Sequence, residues 1–219
     1  MKWGRHILIV AVALGLAGIV VAFALHRPEP PAFPPTPARE SEVGARLIGP
    51  TVYTIDAGSP AEWRFFDFSR GSVVSDAGPL GWDLAFRRFR IIANGGHGFA
   101  GDGGIADLGP AVFDSVVEVP EVGYVVTTTR RDSTNAAIAH WYRYGFTSHI
   151  LEPEPRVYAV RTADGRYAKL EILGYYCPGA RPGCLTFRYV YQGSGSRDFR
   201  GETDPGTRDP PPGASPARL

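Results

Sequence analysis

The chain has 219 residues, and its 23 basic and 22 acidic side chains give a formal net charge of +1 at pH 7. So balanced a charge provides no electrostatic footprint for nucleic acid and no polybasic patch for lipid headgroups, which excludes nucleic acid as a partner. The length allows one domain of ordinary size between terminal segments.

The first predicted element is an apolar run at residues 7–25, which contains no charged side chain. At about 1.5 Å per helical residue, a helix over this run is roughly 28 Å long and matches the roughly 30 Å hydrocarbon core of a bilayer. Lys2 and Arg5 precede the run, so the positive-inside rule places residues 1–6 in the cytoplasm. The pattern predicts a single-pass membrane protein with a transmembrane signal-anchor at 7–25 and an extracytoplasmic, periplasmic remainder.

The alternative is a signal peptide that is removed, because Ala22-Phe23-Ala24 matches the small-x-small pattern of a cleavage site. The uncleaved anchor is favoured, since the run exceeds the roughly 7–15 apolar residues of a typical signal. Both alternatives export the domain that follows, the second as a secreted protein.

Two segments without a globular pattern flank the predicted domain, which covers residues 46–192. Residues 26–45 contain six prolines, a composition typical of an extended linker that holds a domain off the membrane. Residues 193–219 are rich in Gly, Ser, Pro and charge, and Phe199 and Leu219 are their only large apolar residues. Two such side chains are too few to offset the entropy of ordering, so we expect a disordered tail.

Within the domain, helical periodicity is scarce, and short runs of Val, Ile, Tyr, Phe and Thr are separated by Gly, Pro and Asp. This pattern predicts an all-β fold with antiparallel strands. The predicted strands cover residues 51–56, 63–67, 82–94, 115–117, 124–129, 141–147, 156–162, 167–176 and 185–191. In 156–162, Val157 and Ala159 fall on one face and Tyr158 and Val160 on the other. Asp164-Gly165 then predicts a hairpin with a type I′ turn.

Cys177 and Cys184 are the only cysteines, and they bracket a turn between two predicted strands. In an exported protein such a pair is expected to form a disulfide, which would contribute about 2.5 kcal/mol by the chain-entropy relation. Two free thiols in a reducing compartment are the alternative. A metal site is not favoured, because two thiolates without neighbouring histidines are half of a tetrahedral shell.

Residues 96–101 match the G-x-G-x-x-G string of nucleotide-binding loops. That function requires the string to open a helix, whereas Gly103, Gly104 and Pro110 follow, so we interpret the stretch as a structural loop. The sequence also contains no nucleophile elbow, no zinc-protease helix and no C-x-x-C-H motif for covalent haem. An enzyme is therefore not expected.

Several of these segments, taken in order, resemble the HmuY family of exported haem-binding proteins. The matching blocks are WRFFDFSRG at 63–71, WDLAF at 82–86, Asn94, GGI at 103–105, VP at 119–120, GY at 123–124, RVYAVRTADG at 156–165 and AK at 168–169. The resemblance extends over about 63–191, and it implies an all-β fold and non-covalent capture of haem or a related tetrapyrrole outside the cytoplasm.

The two axial histidines of the best-known family member are not retained. One belongs to an insertion that this chain lacks between Tyr124 and Trp141. The other follows the tryptophan that matches Trp141 by five positions, where this chain has Phe146. A phenylalanine cannot ligate iron, so any haem site must differ from the known one.

Three histidines of the domain are candidate haem ligands: His97, His140 and His149. Imidazole is a common axial ligand of haem iron, and His140 would share a strand face with Tyr142 and Tyr144. The alternative for each histidine is an ordinary polar role in a turn or at a strand end.

Several other polar positions are expected to be structural. Arg161 and Lys169 resemble residues of the family pattern, and either could meet a haem propionate, but both are expected to brace the fold, for instance by pairing with Asp164. Asp83 and Asn94 are expected to bond to the backbone near the glycine-rich loop, while Trp82 fills the core.

The leading hypothesis is thus a membrane-anchored, HmuY-like haem-binding protein, with the membrane reached through the N-terminal helix. The rival hypothesis is a cofactor-free module that binds a protein partner of the cell envelope, which the sequence does not identify.

Overall fold

The computed structural model of the chain describes residues 2–25, 29–38, 47–129 and 132–200. Its first element is the helix α1 (Lys2–Leu25), in which the window Trp3–Ala22 is long and apolar enough to cross a membrane. A signal sequence near the N-terminus satisfies the same criteria, so α1 is compatible with both the anchored and the secreted alternative.

The domain that follows is all-β, as predicted. Its strands are β1 (Leu47–Asp56), β2 (Arg64–Asp67), β3 (Ser72–Val74), β4 (Leu84–Arg87), β5 (Arg90–Ala93), β6 (Gly104–Asp107), β7 (Tyr142–Tyr144), β8 (Leu151–Pro153), β9 (Val157–Arg161), β10 (Tyr167–Cys177) and β11 (Arg181–Gln192). A five-stranded sheet has the order β1-β11-β10-β9-β6, a four-stranded sheet has the order β3-β2-β4-β5, and β7 pairs with β8. All of these ladders are antiparallel.

The predicted disulfide is confirmed. Cys177 and Cys184 are bonded across the turn between β10 and β11, with their Cα atoms 4.9 Å apart. The bond closes the end of the two longest strands of the five-stranded sheet.

The two larger sheets pack together through aromatic side chains. Phe66 of β2 and Phe86 of β4 meet Phe187 of β11, with ring centroids 5.3 and 5.5 Å apart. Phe66 also meets Tyr189, two residues along β11, at 5.6 Å. All four rings are buried, and aromatic pairs at such distances add about 0.5–1.5 kcal/mol beyond the burial of their area.

A second apolar cluster lies on the other face of the five-stranded sheet. Val157 and Ala159 of β9 face this cluster, while Tyr158 and Val160 face the main core, so the predicted alternation of β9 is confirmed. Phe199, which follows β11 in the chain, belongs to the second cluster and is only 8% exposed.

The domain therefore continues past the predicted boundary at residue 192. Phe199 N donates a hydrogen bond to Val117 O at 2.8 Å, and Gln192 Nε2 donates to Asp198 O at 2.8 Å. The prediction of a disordered tail is wrong for 193–200, because one buried aromatic ring and its flanking hydrogen bonds order this segment. Residues 201–219 lie outside the described residues.

Part of the predicted linker also contacts the domain. Phe33 N donates to Tyr176 O at 2.9 Å, and Thr36 N donates to Thr54 O at 2.9 Å. Residues 29–38 thus follow β10 and β1 instead of forming a free spacer, since their backbone donors find acceptors on the domain. The rest of the predicted linker, 26–28 and 39–45, lies outside the described residues.

The single strand predicted at 82–94 is a hairpin of β4 and β5. Arg87 pairs with Arg90 across a two-residue turn, in which Arg88 has a φ of 55° and donates its N–H to Ala57 O at 2.7 Å. Glycine or asparagine is the usual occupant of such a conformation, so the sequence contains no local signal for this turn.

Three other predicted strands are shorter than expected or absent. The strand predicted at 115–117 is absent, and its first residue belongs to a 3-10 turn at residues 113–115. The strand predicted at 124–129 is reduced to isolated β-bridges at Val125 and Thr128. The strand predicted at 141–147 is reduced to β7.

The hairpin of β9 and β10 is confirmed, but its turn is not of type I′. In residues 162–166 only Gly165 has a positive φ, of 79°, whereas a type I′ turn needs two such residues. The side chain of Thr162 closes the loop by accepting a hydrogen bond from Arg166 N at 2.7 Å.

Candidate functional site

The three histidines predicted as haem ligands lie in three separate loops, and all three side chains are exposed. His97 belongs to the glycine-rich loop, His140 to the turn before β7, and His149 to the turn between β7 and β8. The expectation that His140 shares a strand face with Tyr142 and Tyr144 is wrong, because β7 begins at Tyr142. Among the described residues, no group of three or more His, Cys, Asp or Glu is placed to hold a metal ion.

The β7–β8 hairpin brings one of these histidines onto a tyrosine. The hydroxyl of Tyr144, the last residue of β7, forms a hydrogen bond with Nδ1 of His149. The turn is closed by Gly145 N, which donates to Ile150 O at 2.8 Å, and by His149 N, which donates to Gly145 O at 2.7 Å. His149 has a φ of 57°, a conformation that few residues other than glycine adopt.

Two exposed aromatic side chains belong to this hairpin. Tyr144 is 51% exposed, and Phe146, where the resemblance places a family histidine, is 83% exposed. Tyr142 lies on the same strand face as Tyr144, and its ring packs against Phe89 at 5.7 Å. We call Phe89, Tyr142, Tyr144 and Phe146 the aromatic surface.

The aromatic surface is anchored to the core by a tryptophan. Trp141 is fully buried, and its Nε1 donates a hydrogen bond to Phe89 O at 2.8 Å. Its ring also contacts Tyr142 at 5.0 Å and Tyr175 of β10 at 5.9 Å. Trp141 therefore holds the β4–β5 turn and the start of β7 next to each other.

Two arginines, Arg87 and Arg90, stand at either end of the β4–β5 turn that contains Phe89. Arg87 Nη2 lies 2.6 Å from Asp132 Oδ1, and Arg90 also forms an ion pair with Asp132. The guanidinium of Arg87 lies 4.4 Å above the ring of Trp63, which restricts its orientation. Two cations therefore share one carboxylate beside this turn.

The glycine-rich loop is held by two buried polar residues, as predicted. Asn94 Nδ2 donates to Pro79 O and Trp82 O, both at 2.9 Å, and Gly103 N donates to Asn94 O at 2.8 Å. Asp83 accepts hydrogen bonds from two backbone amides. The loop is a structural element in which the polar side chains satisfy the backbone.

Lys169 and Arg161 are also structural. Lys169 is buried, and its Nζ donates to Phe113 O at 2.8 Å and Val116 O at 2.7 Å. Burial lowers the pKa of Lys169, and the Phe113 ring lies 4.5 Å from its Nζ. Arg161 Nε donates to Asp102 O at 2.7 Å. The suggested partner of both, Asp164, pairs with Arg166 instead.

The side-chain contact that sequence reasoning missed is that of Tyr144 with His149. The two residues are five positions apart across a turn, a spacing that no general rule connects. A short strand followed by Gly145 and a second apolar run at Ile150 was the available signal for the hairpin. The side-chain contact depends on the φ of His149, which the sequence does not reveal.

Comparisons with known proteins give a consistent result. The family model described as "HmuY protein" matches residues 59–189. A solved structure of an apo HmuY analog from Tannerella forsythia has a TM-score of 0.54 and 16% identity, over 67% of this chain and 97% of that chain. A candidate HmuY-like haem-binding protein from Bacteroides vulgatus has a TM-score of 0.53 and 20% identity, over 71% and 97%.

A third solved structure, of a candidate lipoprotein from Bacteroides fragilis, has a TM-score of 0.50 and 18% identity, over 64% of this chain and 88% of that chain. At these identities the three structures show the fold alone. A comparison with curated proteins finds no match.

Proposed function

This chain belongs to the HmuY family, and from that membership we propose that it binds haem or a related tetrapyrrole non-covalently on the extracytoplasmic side of a membrane. Members of the family are binding proteins, and haem is their general ligand. The proposed activity is therefore ligand capture without catalysis.

The observation that carries the proposal is the aromatic surface with its Tyr144–His149 pair. Contiguous exposed apolar groups mark ligand or partner sites, and Phe146, which is 83% exposed in the β7–β8 turn, lies two residues from Tyr144, which is 51% exposed. A planar, apolar macrocycle would cover Phe146 and the exposed part of Tyr144. The gain would be about 25 cal/mol for each Å² of apolar area removed from water.

The side chains of this surface fit haem better than a bare metal ion. A free metal ion needs several protein ligands, and the described residues offer no such group. Haem supplies an iron already held by its macrocycle, so one or two protein donors are enough. The phenol of Tyr144 and the imidazole of His149 are both donors of the required kind.

The proposed location follows from α1. A helix with the window Trp3–Ala22 would anchor the chain, and the Bacteroides fragilis structure, described as a candidate lipoprotein, supports a place at a membrane surface. The domain would then capture its ligand near the membrane, with the C-terminal part outside the cytoplasm.

The direct test is a titration of ferric haem into the full chain in lipid nanodiscs, with empty nanodiscs as the blank. We expect a saturable shift of the Soret absorption. Phe146→Ser should weaken binding, because it removes the most exposed apolar side chain of the surface. His97→Ala serves as the matched control, since His97 lies in another loop and should leave the titration unchanged.

A titration that never saturates beyond the blank would contradict haem binding. The rival hypothesis of a cofactor-free module for a protein partner would then be favoured. Loss of the shift in His97→Ala, with Phe146→Ser unaffected, would instead move the ligand to the glycine-rich loop.

A further inference from the structure

A cavity lies where the proline-rich segment passes the β7–β8 hairpin. Residues 29–31, 150–153 and 174–176 line it, so its walls come from the segment before the domain, from β8 and from the end of β10. Its volume is about 270 Å³. An apolar protein cavity of about 150 Å³ is enough to take benzene, so this one has room for a ring with a short side chain. None of the four residues of the aromatic surface is among the described residues that line it, so the two sites are separate.

Tyr176 of β10 holds the other two walls in place. Its backbone O accepts a hydrogen bond from Phe33 N at 2.9 Å, which attaches the segment, and its hydroxyl accepts one from Leu151 N at 2.9 Å, which attaches β8. Farther along the segment, Thr36 N donates to Thr54 O and Thr54 N donates to Oγ1 of Thr36, both at 2.9 Å. The walls are therefore held by hydrogen bonds within the chain itself.

The prolines of the segment keep the cavity from closing. Pro30 and Pro31 have no backbone N–H, so they cannot donate hydrogen bonds to the neighbouring strand β8. Proline also favours a stiff, extended backbone. A Cβ at Gly174 would lie 2.8 Å from Cε2 of Phe33 and 3.6 Å from Pro31 O, so the segment already lies tightly against β10. The space between the segment and β8 is thus a consequence of backbone geometry.

The lining indicates the chemistry of a ligand. The prolines, Ile150 and Leu151 make the walls apolar, and the only charged side chains among the described lining residues are Glu29 and Glu152. Glu29 is exposed and the side chain of Glu152 is 47% exposed, so both carboxylates lie where the cavity meets solvent. Glu152 is paired with Arg143 at 2.6 Å, whereas Glu29 forms no ion pair within the described parts of the chain. The site therefore has an apolar interior and an uncompensated negative charge at its opening.

We propose that this cavity binds a small apolar amine, with its hydrocarbon part between the segment and β8 and its ammonium group beside Glu29. Burial of the hydrocarbon part supplies the affinity, and the carboxylate attracts a cation and repels an anion. Because residues 29–31 form one wall, the ligand binds when the segment is attached to the domain, and by linkage it stabilises that attachment by the same factor. This site involves no haem, so it goes beyond the proposed function and does not rest on it.

The test is a titration of phenethylamine into the full chain in lipid nanodiscs, with the methyl groups of isoleucine and leucine labelled for NMR. We expect saturable shifts at the methyl groups of Ile150 and Leu151. Leu108, which packs against the second apolar cluster, is the internal reference and should not shift. Hydrocinnamate, an anion with the same ring, should bind about 10-fold more weakly, because the carboxylate of Glu29 repels it. The wild-type protein is sufficient for this readout.

Glu29→Gln should weaken binding of the amine about 2- to 5-fold, as is typical of an exposed ion pair, and should leave binding of the neutral hydrocinnamyl alcohol unchanged. The matched control is Glu62→Gln, which removes the same charge from another exposed position and should change neither affinity. The amine should also slow hydrogen exchange at the amides of Phe33 and Thr36. Gly174→Ala, which displaces the ring of Phe33, should weaken the amine because it loosens one wall.

A titration without saturable shifts at Ile150 and Leu151 would overturn the site. Shifts that rise linearly and include Leu108 would overturn it as well, because the amine would then only partition into lipid. Equal affinities for phenethylamine and hydrocinnamate, or an unchanged affinity for the amine in Glu29→Gln, would refute the cationic ligand. Haem binding is measured separately by the Soret titration, so a failure of this site is distinguishable from a failure of the proposed function.

Discussion

Asp83 shows how a single buried residue organises the family-like region of the chain. It is only 6% exposed, and each of its carboxylate oxygens accepts a hydrogen bond from a backbone amide, Phe68 N and Ala163 N, both at 2.9 Å. These two amides belong to segments that are far apart in sequence. Burial raises the pKa of Asp83 to about 7, although the two amide donors act in the opposite direction.

The raised pKa predicts a pH-dependent stability. The ordinary value for this carboxyl is 3.8, so between about pH 4 and pH 7 the folded protein holds a proton that the unfolded chain has released. The contribution of Asp83 is thus fully present below pH 3.8 and is lost as the pH rises through about 7. The loss is at most about 1.4 kcal/mol for each pH unit in that window.

The measurement is the difference in free energy of unfolding between wild type and Asp83→Asn, from pH 5 to pH 8. The variant should be less stable at pH 5 by about 1–3 kcal/mol, since an amide cannot accept from both backbone donors. The difference should shrink toward pH 8, because only the wild type titrates at this position. A difference that is constant across the range would contradict the raised pKa.

At the scale of elements, the glycine-rich loop contains glycines that are needed for different physical reasons. A Cβ at Gly103 would lie 2.5 Å from Asn94 O, well inside contact distance, whereas a Cβ at Gly98 would meet open space. Gly98 nevertheless has a φ of 93°, a value that disfavours a side chain. Glycine is therefore required at 103 because the backbone of Asn94 lies so close. At 98 glycine is favoured only by the positive φ.

This contrast predicts different costs for two alanine substitutions in the same loop. Gly103→Ala should destabilise the domain by about 3 kcal/mol or more, because the backbone of Asn94 must move. Gly98→Ala should cost only about 1 kcal/mol for its strained φ. Urea unfolding of both variants checks the prediction, and equal losses would argue against the steric role of Gly103.

At the scale of the whole molecule, the proline-rich segment is attached to the domain along 29–38. The ring of Phe33 covers Gly174 of β10, where a Cβ would lie 2.8 Å from Cε2 of that ring. The backbone of Phe33 and of Thr36 adds hydrogen bonds to the edges of β10 and β1. Residues 29–38 therefore run along the domain.

Gly174→Ala should displace the Phe33 ring and release the segment. We expect faster hydrogen exchange at the amides of Phe33 and Thr36, with little change in the amides of β11. The control is Gly78→Ala in the β3–β4 loop, where a Cβ would meet nothing within 4 Å and the φ is not positive. Unchanged exchange at Phe33 in Gly174→Ala would mean that the contact does not hold the segment.

The anchor is the other prediction at this scale. If α1 remains uncleaved, the protein in the membrane fraction should retain the apolar run at residues 7–25. The physical reason is that the apolar run is longer than the roughly 7–15 residues of a typical signal. Intact-mass measurement and N-terminal sequencing decide the matter, and a mature protein that starts at Leu25 would establish the secreted form instead.

The sequence by itself determined the features that depend on local pattern. Alternation in β9 predicted which residues share each of its faces, and the two cysteines around a turn predicted their disulfide. The apolar run at the N-terminus predicted a helix of membrane-spanning length. Each of these follows from composition or spacing within a few residues, so no knowledge of distant contacts was needed. The family followed from a resemblance of several blocks in order.

Only the tertiary structure decided the features that depend on contacts between distant segments or on a single backbone angle. Phe199 and Phe33 are ordered because they contact residues that are distant in sequence. The residues next to them in the sequence are typical of unstructured segments. Arg88 turns the predicted strand at 82–94 into a hairpin through a positive φ. His149 meets Tyr144 for the same reason, since a side chain's partner is set by the three-dimensional path of the backbone and not by its spacing in sequence.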